Sequence, residues 1–273
     1  MTRNLLFTSA GNNCIINKYW IDNNRNYDIF VCYYGNNPDK PLMKYADYYA
    51  ERKGGKFQNF YFFWQQSQQQ QNPQQNPQHS IHSESDIYIQ TVNPNKKKFN
   101  VKDYDYYFIV DDDIIISTTD INRLFLVISS YNLDIIQPSF PIGKNSRISH
   151  KITVSQPGLF MRYTNFIEIN TPVFSKSALE KCMTIYEPSL VGFGIDYLFL
   201  WFLGHTKEDK YAVIDHIKCI NPFFEEREID KLQTLDNRYQ NWKEIAKKYN
   251  ITFWKHKNYK PLLLNPFNSK FFL

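Results

Sequence analysis

Cysteine is scarce in this chain and has none of the spacings that bind metals or exchange disulfides. The four cysteines, Cys14, Cys32, Cys182 and Cys219, form no Cys-x-x-Cys pair. Isolated cysteines of this kind are typical of buried thiols in a reducing compartment. The sequence therefore gives no support to a disulfide scaffold, a zinc ribbon or a thiol oxidoreductase.

Long apolar runs and a large charge excess are also absent. The longest apolar stretch, residues 195–203, contains Asp196 and is far shorter than the ~20 residues of a membrane-spanning helix. The apolar run at residues 4–7 has the length of a strand and not of a signal-peptide core. The chain has 32 basic and 27 acidic residues, a net charge of +5 that does not require nucleic acid. We expect a cytoplasmic protein without a transmembrane segment or a strong nucleic-acid signal.

The composition is that of a folded globular protein. Hydrophobic residues make up 42% of the 273 positions and aromatic residues 17%, well above the range of disordered chains. One segment differs, because residues 65–78 are a Gln/Asn/Pro tract that cannot form a packed core. We predict a disordered surface insertion over residues 65–98, which makes ligand roles for His79 and His82 poorly supported.

Alternating short apolar segments and polar turns predict an α/β fold with a Rossmann-like nucleotide-binding half. In the first half, the expected strands are residues 5–8, 27–34, 56–63 and 104–110, with helical spacing at 15–20. In the second half, we expect strands at residues 134–137, 150–154, 166–169 and 212–214, and helices at 119–132, 176–186 and 195–203.

The most informative stretch is Tyr-Tyr-Phe-Ile-Val-Asp-Asp-Asp at residues 106–113, an apolar strand that ends in three carboxylates. Charge of this density is costly to desolvate unless a cation or several donors meet it. In α/β sheets, ligands bind at the carboxyl ends of strands. Asp111 and Asp113 are therefore predicted to hold Mg²⁺ or Mn²⁺ in an Asp-x-Asp arrangement. The alternative is a solvated turn whose aspartates cap the next helix.

Two further carboxylates lie where chemistry would need them. Asp196 follows a Gly-x-Gly turn at a predicted helix start, where the helix dipole favours an ionised carboxylate that can act as a general base. An ordinary helix cap is the alternative. Glu168 lies between isoleucines in a predicted strand and shares its segment with Arg162, so it is either a second catalytic carboxylate or half of a structural pair.

Several segments together resemble a widespread family of uncharacterised proteins related to the GT-A glycosyltransferases. The resemblance rests on "YDYYFIVDDDIIISTTDINRLF", "MRYTNFIEINTPVFSKSAL", "VGFGIDYLFLWFLG" and the earlier "TSAGNN", "YDIFVCYYG" and "KGGKFQNFYFF". It implies one GT-A-like domain over residues 1–225, in which a nucleotide-binding half with a mixed sheet continues into an acceptor half. Residues 65–98 would interrupt this domain, and residues 226–273 would form a helical, basic and aromatic extension outside it.

The resemblance also implies an activity and a set of site residues. GT-A enzymes use a nucleotide-sugar donor, an Asp-x-Asp metal site on its diphosphate and, in inverting members, a carboxylate base for the acceptor. In this sequence, Asp111 and Asp113 match the metal motif and Asp196 matches the base. The implied partners are a nucleotide-sugar donor and an unknown acceptor, and the implied cofactor is Mn²⁺ or Mg²⁺. The alternative is a non-catalytic nucleotide- or sugar-binding protein with a degenerate site.

One position departs from the expected pattern. Related enzymes often place a late histidine at the metal or phosphate site, whereas this chain has Asn221 there. His216 is nearby but is expected to face the opposite side of the sheet from Asp215. An asparagine can bind a metal only weakly, through its carbonyl oxygen. We therefore count Asn221 as a third, weaker metal ligand.

Contacts to the nucleotide are expected from loops that follow the first strands. The candidates are Gly11, Asn12, Tyr34, Gly35, Lys56 and Asp112. Lys53 and Lys56 flank a Gly-Gly turn and either meet phosphate or are solvated loop lysines. Near the C-terminus, residues 241–260 carry six lysines among aromatic residues. There the spacing of Trp242, Ile245 and Tyr249 favours a docked amphipathic helix over a nucleic-acid or membrane surface.

Overall fold

The central element is a mixed β-sheet, seen in a computed structural model that describes residues 2–71, 87–143, 145–223 and 228–264. Ten strands of these residues form one sheet. They are β1 (Asn4–Ala10), β2 (Asp28–Tyr33), β3 (Tyr48–Glu51), β4 (Gln90–Thr91), β5 (Tyr106–Ile109), β6 (Ile135–Ser139), β7 (Leu159–Thr164), β8 (Val173–Ser175), β9 (Tyr211–Lys218) and β10 (Asn258–Leu263).

The strand order is β10-β7-β9-β6-β8-β5-β1-β2-β3-β4. Strands β5, β1, β2 and β3 run parallel to one another, and so do β6 and β9. Strand β8 is antiparallel to both of its neighbours and joins the two parallel groups. Because parallel strands end at the same edge, the loops after β1, β2, β3 and β5 are brought together.

Helices cover both faces of the sheet. They are α1 (Ile16–Tyr19), α2 (Lys56–Gln71), α3 (Thr118–Ser130), α4 (Lys176–Ile185), α5 (Ile195–Leu203), α6 (Glu228–Leu232) and α7 (Leu235–Lys248). Residues of α2, α4, α5 and α7 share one buried apolar cluster with one side of the sheet, and residues of α1 and α3 share another with the other side. The mixed α/β class predicted from the sequence is confirmed.

The strand predicted at residues 56–63 is wrong, because this segment begins α2. Phe57, Phe60, Trp64 and Ser67 are buried at helical spacing along it. The aromatic residues that suggested a strand form the inner face of a helix against β1 and β2. The third strand is instead β3, which begins at Tyr48, eight residues before the first residue of α2.

Two expected strands of the second half are also wrong. The segment predicted at 150–154 contains a short 3-10 helix, Lys151–Thr153. The segment predicted at 166–169 is a loop, and the strand lies just before it, in β7. A turn at Asn170 and then Pro172 follow this loop directly. Ile167 and Ile169 therefore lie in a loop and a turn and not in a strand.

The predicted insertion at residues 65–98 is only partly described, since residues 72–86, including His79 and His82, lie outside the described residues. On one side of this gap, α2 continues to Gln71. On the other, β4 pairs with β3, and the Asn93 amide donates to Asp47 Oδ1 at 2.8 Å. Within the described residues, both flanks of the tract are therefore parts of the fold.

The segment expected as a separate extension also joins the core. Strand β10 pairs antiparallel with β7 at the edge of the sheet. Trp242 and Ile245 of α7 are buried, as the docked-helix interpretation requires. The four cysteines are buried free thiols. No helix within the described parts of the chain is long and apolar enough to cross a membrane.

Candidate functional site

Polar residues from several loops meet at the edge where the parallel strands end. Asp111, Asp112 and Asp113 come after β5, and the loops after β1 and β2 carry Gly11 and Tyr34. Strand β1 lies between β5 and β2, so its loop is adjacent to both others. The topology therefore brings the residues predicted for the metal and for the nucleotide to one edge of the sheet.

Asp112 connects the three loops. Its Oδ2 accepts a hydrogen bond of 2.8 Å from the Gly11 backbone amide and one of 3.5 Å from the Tyr34 hydroxyl. Burial raises the pKa of Asp112 to about 6, against the opposing effect of the Gly11 amide. A Cβ on Gly11 would lie 2.8 Å from the Tyr34 ring, so only glycine fits there. Asp112 thus holds the predicted nucleotide loops together instead of pointing into free space.

Asp111 pairs with Lys56, the first residue of α2. Lys56 Nζ lies 2.8 Å from Asp111 Oδ1 and donates to the Asn170 carbonyl oxygen at 2.9 Å. The lysine side chain is 8% exposed, and burial lowers its pKa despite the nearby carboxylates. Lys56 is therefore not a solvated loop lysine. Lys53 bonds instead to the β2 loop, through Asn36 Oδ1 at 2.7 Å.

Asp113 has unfavourable surroundings for a negative charge. Burial, followed by repulsion from Asp111 and Asp112, raises its pKa to about 7. A divalent cation would offset this repulsion, and carboxylate oxygens are the ligands that Mg²⁺ and Mn²⁺ prefer. The chemistry of the pair Asp111 and Asp113 therefore fits the predicted metal.

Among the described residues, Asp111 and Asp113 are not joined by a third His, Cys, Asp or Glu side chain that could bind a metal ion with them. A cation at Asp111 and Asp113 would need further oxygens from a bound ligand or from water. This is the requirement of a site that uses substrate phosphates as ligands.

Glu168 lies in the loop after β7 and is 3% exposed. Its backbone amide donates to Gln137 Oε1 at 2.6 Å, and its Oε1 accepts from the Asn170 amide at 2.9 Å. Its Oε2 is buried without a hydrogen-bond partner among the described residues. Burial, together with the carboxylates of Asp196 and Asp111, raises the pKa of Glu168 to about 7.

The structural pairing considered for Glu168 and Arg162 is wrong. The buried guanidinium of Arg162 pairs with Asp215 of β9. One further nitrogen donates to the carbonyl oxygens of Ile152 and Val154, and Nε donates to Asn258 Oδ1 at 3.1 Å. Arg162 therefore fixes the loop after β6 against the sheet. Glu168, without that cation, retains an unsatisfied oxygen beside the aspartates.

Asp196 lies in the first turn of α5, after Gly194 in the left-handed conformation with φ +89°. Its Oδ1 accepts from the backbone amide of Tyr197 at 2.9 Å. The expectation that the helix dipole keeps this carboxylate ionised is not met at neutral pH. Burial raises its pKa to about 7, which leaves the group divided between its two protonation states.

Asn221 lies beside the aspartate segment through the backbone. Ile115 and Ile220 form an antiparallel bridge, which places Asn221 across from the residues that follow Asp113. Its backbone carbonyl accepts from Arg147 at 2.7 Å, and the residue is buried. His216 is exposed while Asp215 is buried, so the two side chains face opposite sides as expected.

The other predicted nucleotide residues lie around the same edge. Asn12 accepts a hydrogen bond from the Tyr33 hydroxyl, and a Cβ on Gly35 would overlap that hydroxyl. Sequence reasoning missed Gln137 and Asn170, which hold Glu168 in place. Asn170 lies in the quoted segment "MRYTNFIEINTPVFSKSAL", two residues after Glu168, but nothing in the sequence assigns it or Gln137 a role. Each is identified by its hydrogen bond with Glu168 in the folded chain.

Comparisons with known proteins place this geometry in context. The family described as "Protein of unknown function (DUF707)" matches residues 96–256. That range includes the three aspartates, Glu168, Asp196 and α7, but not the earlier segments that carried part of the resemblance. The match continues beyond residue 225, where the sequence had suggested that the family ends. No curated protein sequence matches the chain.

Two solved structures share the fold. The crystal structure of S. aureus TarS 1-349 in complex with UDP-GlcNAc has a TM-score of 0.52 and 11% identity, over 93% of this chain and 68% of that one. The crystal structure of S. aureus TarS has a TM-score of 0.50 and 10% identity, again over 93% of this chain. The chain spans about two fifths of that structure, 41%. The fold is that of the GT-A glycosyltransferases.

Proposed function

The chain belongs to the DUF707 family, and from this premise we propose that it is a metal-dependent glycosyltransferase. It would transfer a sugar from a nucleotide-sugar donor to a hydroxyl group of an acceptor, with inversion at the anomeric carbon. The observation that carries the proposal is the cluster of Asp111, Asp113, Glu168 and Asp196 beside Lys56, at the carboxyl edge of a GT-A-like sheet.

Asp111 and Asp113 would hold Mn²⁺ or Mg²⁺ together with the donor diphosphate, and Asn221 is the candidate for a weaker third ligand. When bound, the ion supplies positive charge that stabilises the leaving nucleoside diphosphate. Lys56 already contributes one cation to the same place, where its ammonium group contacts Asp111. Two carboxylates and a buried lysine are a combination suited to a diphosphate and a metal together.

The loops after β1 and β2 would hold the nucleoside. Gly11, Asn12, Tyr34 and Gly35 lie there, and Asp112 fixes their relative positions through the Gly11 amide and the Tyr34 hydroxyl. The Tyr34 ring lies close against Gly11 and would form one wall of the nucleoside site. TarS, which shares the fold, is seen with UDP-GlcNAc bound, and UDP-GlcNAc is therefore the first donor to test.

Asp196 would act as the general base. A pKa of about 7 is well suited to this role, because the group is partly ionised at neutral pH yet basic enough to accept the proton of a hydroxyl. Glu168, with one unsatisfied buried oxygen, would hold the acceptor hydroxyl in line. The two carboxylates are close enough for Asp196 to raise the pKa of Glu168.

The proposal is tested by calorimetric titration of the full chain with UDP-GlcNAc and other nucleotide sugars, with and without Mn²⁺, followed by an assay of donor hydrolysis. We expect Mn²⁺-dependent binding that Asp111→Asn and Asp113→Asn weaken at least tenfold. The matched control is Asp209→Asn. Asp209 is an exposed aspartate just before β9, whereas Asn221 follows the other end of this strand. Binding that is absent, or equal in all three variants, would refute the proposal.

A non-catalytic nucleotide- or sugar-binding protein is the second candidate. Asn221 favours it, because an amide replaces the imidazole expected at the metal site and binds metals more weakly. Metal-dependent donor binding without hydrolysis or transfer would support this candidate over the transferase. Recovery of hydrolysis in Asn221→His would then identify the missing imidazole as the cause.

A further inference from the structure

An open cavity of about 410 Å³ lies between the loop after β6 and the segment that leads into β10. Its lining residues come from the loop that contains the 3-10 helix and from the segment leading into β10. They are Ser149, His150, Lys151, Ile152, His256 and Asn258. The volume is within the range of about 300–1,000 Å³ that small-molecule sites occupy. None of these residues had been connected with the site by sequence motifs.

Two of the lining residues connect the cavity to the carboxylates. The Ser149 hydroxyl lies near Glu168 and favours its ionised form. The Tyr197 hydroxyl lies 2.9 Å from His256 Nε2, and Tyr197 directly follows Asp196. A molecule in the cavity would therefore contact Ser149 and His256, which are the links to Glu168 and to the start of α5.

Its two imidazoles are held in place by aromatic packing. The His256 ring stacks on Phe166 with centroids 3.9 Å apart, and the His150 ring lies 4.6 Å from the same phenylalanine. Asn258 accepts a hydrogen bond of 3.1 Å from Arg162 through Oδ1, so its amide hydrogens remain for a ligand. Ordered polar groups of this kind bind a ligand without a large loss of side-chain entropy.

The polar lining is mostly uncharged. Burial and the neighbouring His256 lower the pKa of His150 to about 4, and burial also lowers the pKa of His256. Both rings are thus neutral at pH 7. His150 offers one donor and one acceptor, and His256, whose Nε2 is bonded to Tyr197, offers its other ring nitrogen. Ser149 and Asn258 add hydroxyl and amide groups, and Lys151 is the cation among the lining residues. Mixed donors and acceptors beside aromatic rings suit a ligand rich in hydroxyl groups.

We propose that this cavity is the acceptor site and that it binds a neutral saccharide through Ser149, His150, His256 and Asn258. The inference rests on the proposed transferase function, because it assigns the second substrate of that reaction. Ser149 and His256 connect the cavity to Glu168 and, through Tyr197, to the segment that carries Asp196.

The test uses NMR of the histidine ring protons in the full chain, without any donor. Cellobiose and lactose serve as neutral probes, and glucose 6-phosphate and glucuronate serve as anionic ones. We expect the neutral disaccharides to shift the resonances of His150 and His256. His256→Ala should weaken this binding at least tenfold, and Ser149→Val, an exposed substitution that leaves the core intact, should weaken it as well.

His216→Ala is the matched control, since His216 is an exposed histidine on β9 and outside the cavity. Its loss should leave the saccharide affinity unchanged. The proposal is overturned if neither disaccharide shifts the two resonances, if the cavity variants bind as well as the parent, or if the anionic probes bind more tightly than the neutral ones.

Separate titration with UDP-GlcNAc and Mn²⁺ distinguishes failure of this site from failure of the proposed function. Donor binding without saccharide binding would overturn the acceptor assignment and leave the transferase proposal standing. Saccharide binding at His150 and His256 without any nucleotide-sugar binding would support the cavity as a saccharide site and remove the transferase as its explanation.

Discussion

At the scale of single residues, Asp196 shows how burial and a helix N-terminus compete for one carboxylate. The sequence places it in the first turn of a helix, where the dipole stabilises negative charge by about 0.3–1 kcal/mol. Removing an ionised carboxylate from water costs several kcal/mol. Burial therefore has the larger effect, and the pKa rises to about 7 in place of falling below 4.

This balance makes Asp196→Asn a test of stability as well as of activity. The pKa of Asp196 is raised in the folded chain, so its contribution to stability is present below about pH 4 and is lost as the pH rises to about 7. Asparagine keeps the acceptor for the Tyr197 amide and carries no charge. We expect the variant to be about 2–4 kcal/mol more stable than the parent at pH 8 and nearly equal at pH 4, as measured by urea unfolding.

Activity should move in the opposite direction. Loss of a general base typically reduces the rate by about 10²–10⁴-fold, so Asp196→Asn would be a more stable but inactive protein at pH 8. Asp209→Asn again serves as the control, with neither effect. A stability difference that is the same at pH 4 and pH 8 would contradict the assignment of a raised pKa to this residue.

At the scale of elements, α2 shows what periodicity reveals and what composition hides. Its first eight residues are rich in phenylalanine and tyrosine, which favour strands in general. The buried positions nevertheless recur at intervals of three and four residues, the period of a helix. Since the helix starts at Lys56, this segment delivers its lysine to Asp111, a contact that a strand assignment could not anticipate.

The site residues that could be predicted from the sequence are those whose local sequence forms a recognisable pattern. Asp111, Asp112 and Asp113 stand together in the sequence after an apolar strand, and Asp196 stands directly after a Gly-x-Gly turn. Gln137 and His256 come to the site from distant segments through tertiary packing, and no local sequence pattern predicts such contacts. Likewise, the partner of Arg162 is Asp215, 53 residues away, and it could be found only from the fold.

The junction between α5 and α7 yields a prediction at this scale. Gly194 has φ +89°, and a Cβ there would overlap the indole ring of Trp242. Left-handed backbone costs an alanine about 1–2 kcal/mol, and overpacking adds about 1–3 kcal/mol. We expect Gly194→Ala to destabilise the fold by about 2–4 kcal/mol and to lower activity, because Gly194 positions the turn that carries Asp196.

Gly143→Ala provides the comparison for this substitution. No atom lies within 4 Å of a Cβ at Gly143, so the change should alter the unfolding free energy by less than about 0.5 kcal/mol. Urea unfolding of both variants, with donor hydrolysis measured alongside, checks the pair. Equal stability of the Gly194 and Gly143 variants would show that the Trp242 ring moves aside at little cost and does not hold α5 in place.

At the scale of the whole molecule, the C-terminal segments are integral to the fold. Strand β10 extends the sheet beside β7, and α7 buries Trp242 against the start of α5. The Asn165 side chain bonds to the segment between α7 and β10, with its Nδ2 donating to the Lys255 carbonyl oxygen at 3.0 Å. The same segment supplies His256 to the cavity, so the core, the proposed general base and the proposed acceptor site depend on it together.

A chain that ends at residue 225 should therefore not fold. Loss of Trp242 from the core alone costs about 3–5 kcal/mol, a large part of the 5–15 kcal/mol that stabilises a typical domain, and the truncation also exposes the edge of β7. We expect the truncated chain to be insoluble or to lack a cooperative urea transition and near-ultraviolet circular dichroism, both of which the full chain should show. A soluble fragment of residues 1–225 with cooperative unfolding and donor binding would instead establish residues 226–273 as the separable extension that the sequence had suggested.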